Sequence, residues 1–125
     1  NSLIVFTKNR DKKITELYLV SKDPGDYHAK KIGALNVESI VTGADYNEKL
    51  KLLVLTSTKK FTKYYLTTIK DFSLNMNQEF EMMTYEIPIG KTQVEAVKII
   101  DNKNFWITSE DEKNSKFARL MKLSL

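Results

Sequence analysis

The chain has 125 residues, of which 42% are hydrophobic and 29% charged, and its formal net charge at pH 7 is +4. This is the composition of one folded domain, and no apolar run approaches the ~20 residues needed to cross a bilayer. The absence of cysteine excludes disulfides and thiolate metal sites. Because the basic residues are spread along the chain, nucleic acid is not an expected partner.

Short apolar runs separated by Asp, Asn, Lys and Gly predict ten β-strands and almost no helix. The predicted strands are residues 3–8, 14–21, 27–33, 39–46, 50–57, 62–70, 79–88, 93–100, 104–109 and 116–123. In "KDPGD", Pro24 and Gly25 occupy the central positions of a predicted type II turn. The sequence therefore predicts an all-β, antiparallel chain of successive hairpins.

Three of these strands have related sequences, which are "LIVFTKNR" at Leu3–Arg10, "LLVLTSTK" at Leu52–Lys59 and "NFWITSED" at Asn104–Asp111. The threonines that end the apolar runs align at offsets of 49 and 52: Thr7, Thr56 and Thr108. Leucines align in the strand that follows: Leu19, Leu66 and Leu120. In the preceding strand, Ala44 aligns with Ala96. An all-β repeat of about fifty residues is typical of the four-stranded blades of a β-propeller.

The strands of the repeat differ in character. The first strand has small residues (Gly43, Ala44, Ala96), as expected where blades meet at the axis. The second is continuously apolar, as expected of a strand covered on both faces, so Phe105 and Trp106 are predicted to be core residues. The fourth is the most polar, as an outer edge should be.

The strand count gives about two and a half blades, with units near residues 1–37, 38–90 and 91–125, whereas a propeller has four to eight. Either the chain, which begins without Met, is a piece of a longer protein, or copies of it assemble into a ring. A ten-stranded barrel that holds a lipid is the alternative architecture. That barrel has no reason to repeat at about fifty residues, and its strands should alternate strictly.

The stretches "LIVFTKNRDKKITELYLVSKDPGDY", "VTGADYN" and "QVEAVKIIDNKNFWITSE" resemble a family of bacterial, exported β-propeller proteins. Members have patterns of the type "LYLFTKN", "ITGADYNP" and "Q-x-E-G-I-x-F-x-D". Ala96 stands where the family usually has Gly. The resemblance implies a six-bladed ring whose later blades lie in this chain, a periplasmic or cell-surface location, and a distant relation to calcium-dependent lactonase and NHL-type propellers.

Glu95 is the most pointed candidate for chemistry, because it lies in a predicted innermost strand where the sister unit has Gly43. Propeller hydrolases of the lactonase type hold Ca²⁺ with such carboxylates, and Asp45 could join Glu95. Two carboxylates do not fill the six to eight oxygen positions around Ca²⁺. A carboxylate that caps a loop or lines a channel is the alternative role, and no other cofactor is expected.

The loops between second and third strands are expected on one face of a propeller, and two of them are rich in cations. With one residue from a neighbouring connection, the candidate ligand-binding set is Lys8, Arg10, Lys12, Lys13, Lys59, Lys60, Lys63 and Lys91. Such a set could hold an anionic glycan, a phosphate or an acidic protein partner, or could simply be solvated hairpin tips. The third loop, "SEDE", is acidic and lacks the spacing of an EF-hand.

The sequence contains one histidine, His28, and no G-x-S-x-G, Walker A, G-x-G-x-x-G or H-E-x-x-H motif. An enzyme is therefore less favoured than a binding or scaffold module whose basic loops face an anionic ligand or protein. The alternative function is a Ca²⁺-dependent hydrolase of the lactonase or phytase type.

Overall fold

A computed structural model describes residues 1–90, 92–110 and 118–125. Its ten strands are β1 (Ser2–Phe6), β2 (Ile14–Ser21), β3 (Lys30–Asn36), β4 (Ile40–Asn47), β5 (Leu52–Lys59), β6 (Lys63–Ile69), β7 (Met82–Ile87), β8 (Val94–Ile99), β9 (Asn104–Ser109) and β10 (Arg119–Ser124). They form three antiparallel sheets in chain order: sheet 1 (β1–β3), sheet 2 (β4–β7) and sheet 3 (β8–β10). The predicted all-β, antiparallel chain is confirmed. A single ten-stranded barrel is wrong, because the described strands divide into three separate sheets.

Sheet 2 lies between the other two and packs against both. One hydrophobic cluster joins it to sheet 1 and contains Leu17, Leu53 and Leu55. A second cluster joins it to sheet 3 and contains Val54 and Phe105, among others. Residues 52–58 of β5 are all buried, so the strand that reads as continuously apolar is covered on both faces.

β5 and β9, the second strands of sheets 2 and 3, have equivalent residues 52 positions apart in the sequence, as predicted. Thr56 of β5 pairs with Leu66, and Thr108 of β9 pairs with Leu120. Leu19, which was expected in the same register, pairs instead with Ile4.

The faces of β1 correct the predicted alignment of the first repeat. Phe6 packs toward sheet 2, whereas Leu55, its equivalent if Thr7 is aligned with Thr56, packs toward sheet 1. Because side chains alternate between the faces of a strand, the alignment must shift by one residue. Thr7 is then placed with Ser57, because Phe6 pairs with the buried Leu17 as Thr56 pairs with the buried Leu66.

Two β-bulges correct the alignment of Glu95. In β4 the register shifts between Val41 and Gly43, which leaves Thr42 in the bulge. The corresponding shift in β8 leaves Glu95 in the bulge, immediately before Ala96. Glu95 therefore corresponds to Thr42 and not to Gly43. The counterpart of Ala96 is Gly43 and not, as predicted, Ala44, so both strands have a small residue directly after the bulge.

These small residues lie where β4 and β8 meet. A Cβ atom at Gly43 would lie 2.7 Å from Thr56 Oγ1 and 3.1 Å from both Ala96 Cα and the Glu95 carbonyl oxygen. Two of these three contacts are with backbone atoms, which cannot rotate away. Glycine thus allows the first strands of sheets 2 and 3 to approach closely.

We expect Gly43→Ala to lower the free energy of unfolding by roughly 1–3 kcal/mol, the usual cost of overpacking. The loss should be smaller in a Thr56→Ala background, because that change removes the closest atom. Urea unfolding of the two single variants and the double variant measures this coupling. Additive single effects, or an unchanged Gly43→Ala variant, would contradict the close approach.

The outer faces of sheets 1 and 3 carry exposed apolar residues. Leu3 and Val5 of β1 are 51% and 44% exposed, and Leu120 of β10 is 65% exposed. Trp106, predicted as core, is 40% exposed on the outer face of sheet 3, whereas its neighbour Phe105 is fully buried. The prediction failed for Trp106 because, in the described chain, only β5 among the second strands has a sheet on each side.

The β2–β3 and β8–β9 connections are formed in different ways. Pro24 and Gly25 lie in a bend rather than in the predicted type II turn, since the φ of Gly25 is 155°. The β8–β9 connection is held by Asp101, whose Oδ1 accepts hydrogen bonds from the backbone N–H of Lys103 at 2.8 Å and of Asn104 at 2.9 Å. The Asn104 side-chain amide donates to both carboxylate oxygens.

These hydrogen bonds hold the pKa of Asp101 below its ordinary value. The bond from the Lys103 backbone has the largest effect, and those from Asn104 add to it. A carboxyl whose pKa is lower in the folded chain stabilises the fold above its unfolded pKa, and this stability is lost as pH falls through the folded pKa. We expect Asp101→Asn to lower Tm at pH 7, with the difference from the unmodified chain shrinking below about pH 4. Thermal unfolding from pH 7 to pH 2 tests this, and a constant difference would contradict it.

Candidate functional site

The two basic hairpin loops lie at the same end of the molecule. The Arg10 guanidinium, in the β1–β2 loop, lies 5.9 Å from the ring centroid of Phe61, in the β5–β6 loop. Lys8 Nζ lies 4.0 Å from Glu95 Oε2, so the first loop also reaches the start of β8. The structure thus brings together residues that are about fifty positions apart in the sequence.

We call the cations at this end the basic face: Lys8, Arg10, Lys12, Lys13, Lys59, Lys60 and Lys63. All seven are exposed. The eighth candidate, Lys91, lies outside the described residues, as do Asp111 and Glu112 of the acidic third loop. Glu110, which is described, is exposed next to Ser109 at the end of β9.

Two cations of the basic face have carboxylate partners. Lys63 Nζ lies 3.4 Å from Glu86 Oε2, and Lys8 is at the 4.0 Å limit from Glu95. Within the described chain, the other five have no carboxylate at salt-bridge distance: Arg10, Lys12, Lys13, Lys59 and Lys60. These five can therefore meet an anion without first breaking a close ion pair.

Lys12 lies near a small polar network on the outer face of sheet 1. Lys31 Nζ donates to Glu16 Oε1, and Tyr18 Oη donates to Glu16 Oε2 at 3.1 Å. The hydrogen bond from Lys31, and after it the one from Tyr18, holds the pKa of Glu16 below its ordinary value. The bond between Lys31 and Glu16 also raises the pKa of Lys31. Glu16 is thus ionised at neutral pH, with Lys31 as its close partner.

The tip of the β5–β6 hairpin is a turn with left-handed backbone at two consecutive residues, as tight hairpins favour. Lys60 and Phe61 both have φ of 55°, in the left-handed region, and Thr62 N–H closes the turn onto the Lys59 carbonyl at 3.2 Å. Each such non-glycine residue costs roughly 1–2 kcal/mol. The turn holds Phe61 with 42% of its surface exposed, beneath Arg10.

Aromatic rings accompany the cations, and the sequence reasoning missed them as site residues. Lys59 Nζ lies 5.3 Å from the ring centroid of Tyr65. Lys59 and Tyr65 line a cleft of about 320 Å³, together with Glu38 and Ser39 from the β3–β4 connection. The available signal was the aromatic residue among the cations of "KKFTK", because a cation near an aromatic ring is attracted to its face.

The structure places the two predicted metal ligands apart. Asp45 Oδ2 accepts the backbone N–H of Ile99 at 2.8 Å, and its Oδ1 accepts a hydrogen bond from Lys98 Nζ at 3.0 Å. Glu95 lies three residues before Lys98, about 10 Å away along β8, and its carboxylate is near Lys8. Among the residues that the structure describes, no group of three or more His, Asp or Glu side chains could hold a metal ion.

Asp45 joins sheet 2 to sheet 3, because its partners lie in the neighbouring sheet. Asp45→Ala would leave the Ile99 N–H without its acceptor, and we expect it to lower the free energy of unfolding by about 1–3 kcal/mol. Lys98→Gln removes the more exposed partner and should cost less than about 1 kcal/mol. Urea denaturation compares the two, and equal losses would contradict this role for the Ile99 bond.

Comparisons of the chain with models of known protein families, with curated proteins and with solved structures found no match. None of the described segments is a helix long and apolar enough to cross a membrane.

Proposed function

We propose that the chain is a non-enzymatic binding or scaffold module, part of a β-propeller, whose basic face binds an anionic ligand or an acidic protein surface. The contact of Arg10 with Phe61 is the observation that supports the proposal most directly. It joins two cationic loops from different sheets into one surface. Clustered positive charge of this kind attracts anions over distances of about a Debye length.

The turn at Lys60 and Phe61 exposes an aromatic ring at the basic face. Two consecutive residues with positive φ are typical of a tight β-hairpin turn, so the exposed ring and not the backbone supports a binding role. The turn presents this ring beside Arg10 and the cluster of lysines. A sugar ring or a planar group could stack on the exposed part of Phe61, while its acidic substituent meets the cations.

The arrangement of the sheets supports the propeller. Sheets 1, 2 and 3 have three, four and three strands, as expected if the first lacks an inner strand and the third an outer one. Leu120 of sheet 3 corresponds to the buried Leu66, and Val5 of sheet 1 corresponds to the buried Leu55. Both Leu120 and Val5 are exposed on the outer faces. Further sheets, such as blades of a longer parent chain, would cover them. The family resemblance supports an exported location.

Neutralising four lysines of the basic face, in a Lys12→Gln, Lys13→Gln, Lys59→Gln and Lys60→Gln variant, tests the proposal. We expect the chain to bind a fluorescent sulfated oligosaccharide or an acidic peptide, measured by anisotropy at low salt, and the variant to lose at least about tenfold in affinity. Four ion contacts at low ionic strength are sufficient for such a loss. Binding should also weaken as salt rises.

The matched control carries the same charge change at the opposite end of the sheets: Lys30→Gln, Lys49→Gln, Lys70→Gln and Lys103→Gln. If net charge alone governed binding, both variants would lose affinity equally, and the basic face would not be a site. Phe61→Leu separates aromatic stacking from charge, since it should weaken binding of the oligosaccharide more than binding of the peptide. Unchanged binding in the first variant would refute the proposal.

A further inference from the structure

A cleft of about 320 Å³ lies between sheets 1 and 2. One wall is formed by residues 36–39, at the β3–β4 connection. The other wall belongs to the two outer strands of sheet 2, with Tyr65 of β6 and with Met82 and Thr84 of β7. Lys59, at the end of β5, also lines the cleft and connects it to the basic face.

The two walls belong to neighbouring sheets of the described fold. Thr67, which also lines the cleft, pairs with Leu55, and Leu55 packs toward sheet 1. Because paired residues of adjacent strands lie on the same face, the cleft is on the side of sheet 2 that is turned to sheet 1. The β1 edge of sheet 1 and the outer faces of sheets 1 and 3 lie elsewhere. Further blades of a longer chain would therefore leave the cleft accessible.

Hydrogen bonds fix the β3–β4 connection and leave the Glu38 carboxylate free. Asn36 Oδ1 accepts the backbone N–H of Glu38 at 3.2 Å, and the φ of Glu38 is 54°. The next residue, Ser39, is buried and donates from its hydroxyl to Ser57 Oγ at 2.7 Å. Glu38 itself is exposed, and no described cation lies at salt-bridge distance from its carboxylate. The wall is thus held in place with an acceptor available to a ligand.

Opposite charges line the cleft without pairing with each other. Lys59 and Glu38 do not form a salt bridge, and the Lys59 ammonium lies 5.3 Å from the ring centroid of Tyr65. The Thr84 hydroxyl is exposed and shares a hydrogen bond of 2.9 Å with the buried Thr67. A ligand that matches these groups has an anionic group for Lys59, hydrogen-bond donors for Glu38 and an apolar face for Tyr65. Glu38 would repel a ligand that has anionic groups alone.

We propose that the cleft binds one uronic acid residue of an anionic polysaccharide. The sugar carboxylate meets Lys59, sugar hydroxyls donate to Glu38, and the C–H face of the ring lies on Tyr65. Ligand pockets begin at about 300 Å³ and combine aromatic walls with a few polar groups, so this cleft suits a single sugar residue. The assignment rests on the proposed function, because Lys59 belongs to both sites, and it selects a saccharide over an acidic protein as the ligand.

Glu38→Gln tests the assignment, because it removes a negative charge from the cleft together with its strongest acceptor. We expect a fluorescent tetrasaccharide of galacturonic acid to bind the unmodified chain, measured by anisotropy at low salt. Its affinity for Glu38→Gln should be at least about fivefold lower. A glutamate octapeptide should bind Glu38→Gln as tightly as the unmodified chain or more tightly, since a repelling charge is lost. Unchanged or tighter binding of the tetrasaccharide to Glu38→Gln would overturn the proposal.

Glu86→Gln is the matched control, because this carboxylate pairs with Lys63 and does not line the cleft. It makes the same charge change and should not weaken binding of the tetrasaccharide. Equal losses in Glu38→Gln and Glu86→Gln would contradict a role of the cleft. Tyr65→Leu should weaken binding of the tetrasaccharide about fivefold relative to Tyr65→Phe, which keeps the ring, and equal binding by these two variants would also contradict it.

Amide chemical shifts of the unmodified chain provide a readout that does not depend on a variant. Addition of the tetrasaccharide should shift the amides of Glu38, Ser39 and Tyr65. Shifts confined to Arg10 and Phe61 would overturn the cleft and leave the basic face as the site. If the acidic peptide binds and the tetrasaccharide does not, the cleft proposal alone fails. If no anionic probe binds the unmodified chain, the proposed function fails with it.

Discussion

The fold depends on the burial of β5 on both faces. Its alternating side chains divide between two hydrophobic clusters, with Leu53 and Leu55 toward sheet 1 and Leu52 and Val54 toward sheet 3. A strand with two apolar faces is stable only between two other layers, so it requires sheets 1 and 3 to pack on either side. The meander connections then place the described hairpins between second and third strands, β1–β2 and β5–β6, at one end of the molecule.

Where β5 approaches this end, its sequence changes from apolar to hydroxyl residues, and each buried hydroxyl has a partner. Ser57 Oγ accepts a hydrogen bond from Ser39 Oγ at 2.7 Å, and Thr56 Oγ1 accepts one from Thr42 Oγ1 at 3.2 Å. Thr58 Oγ1 donates to the Lys63 carbonyl at 2.9 Å. A threonine or serine at the end of a buried strand can thus satisfy backbone and neighbouring side chains where the core gives way to the loops.

The sequence predicted strands, sheet composition and strand order well, because these follow from local periodicity and from the spacing of turns. It placed Thr7 and Glu95 one residue out of register. An alignment by residue type does not detect a bulge or the face toward which a strand points, and an error of one residue exchanges the two faces. The same limit explains Trp106: its apolar sequence signals burial, but whether a neighbouring sheet covers it is a property of the assembly.

The candidate site could be located from the sequence, because an antiparallel meander places equivalent loops at one end. Its chemistry could not, since the contact of Arg10 with Phe61 depends on a left-handed turn that no residue type in "KKFTK" requires. Carboxylates are interspersed among the cations at this end of the molecule. Glu86 lies 3.4 Å from Lys63, Glu38 lines the cleft beside Lys59, and Glu95 lies 4.0 Å from Lys8. An anion would therefore meet attraction at the cations without a close partner and repulsion at the carboxylates between them. Such a mixture provides selectivity by repulsion as well as by added contacts.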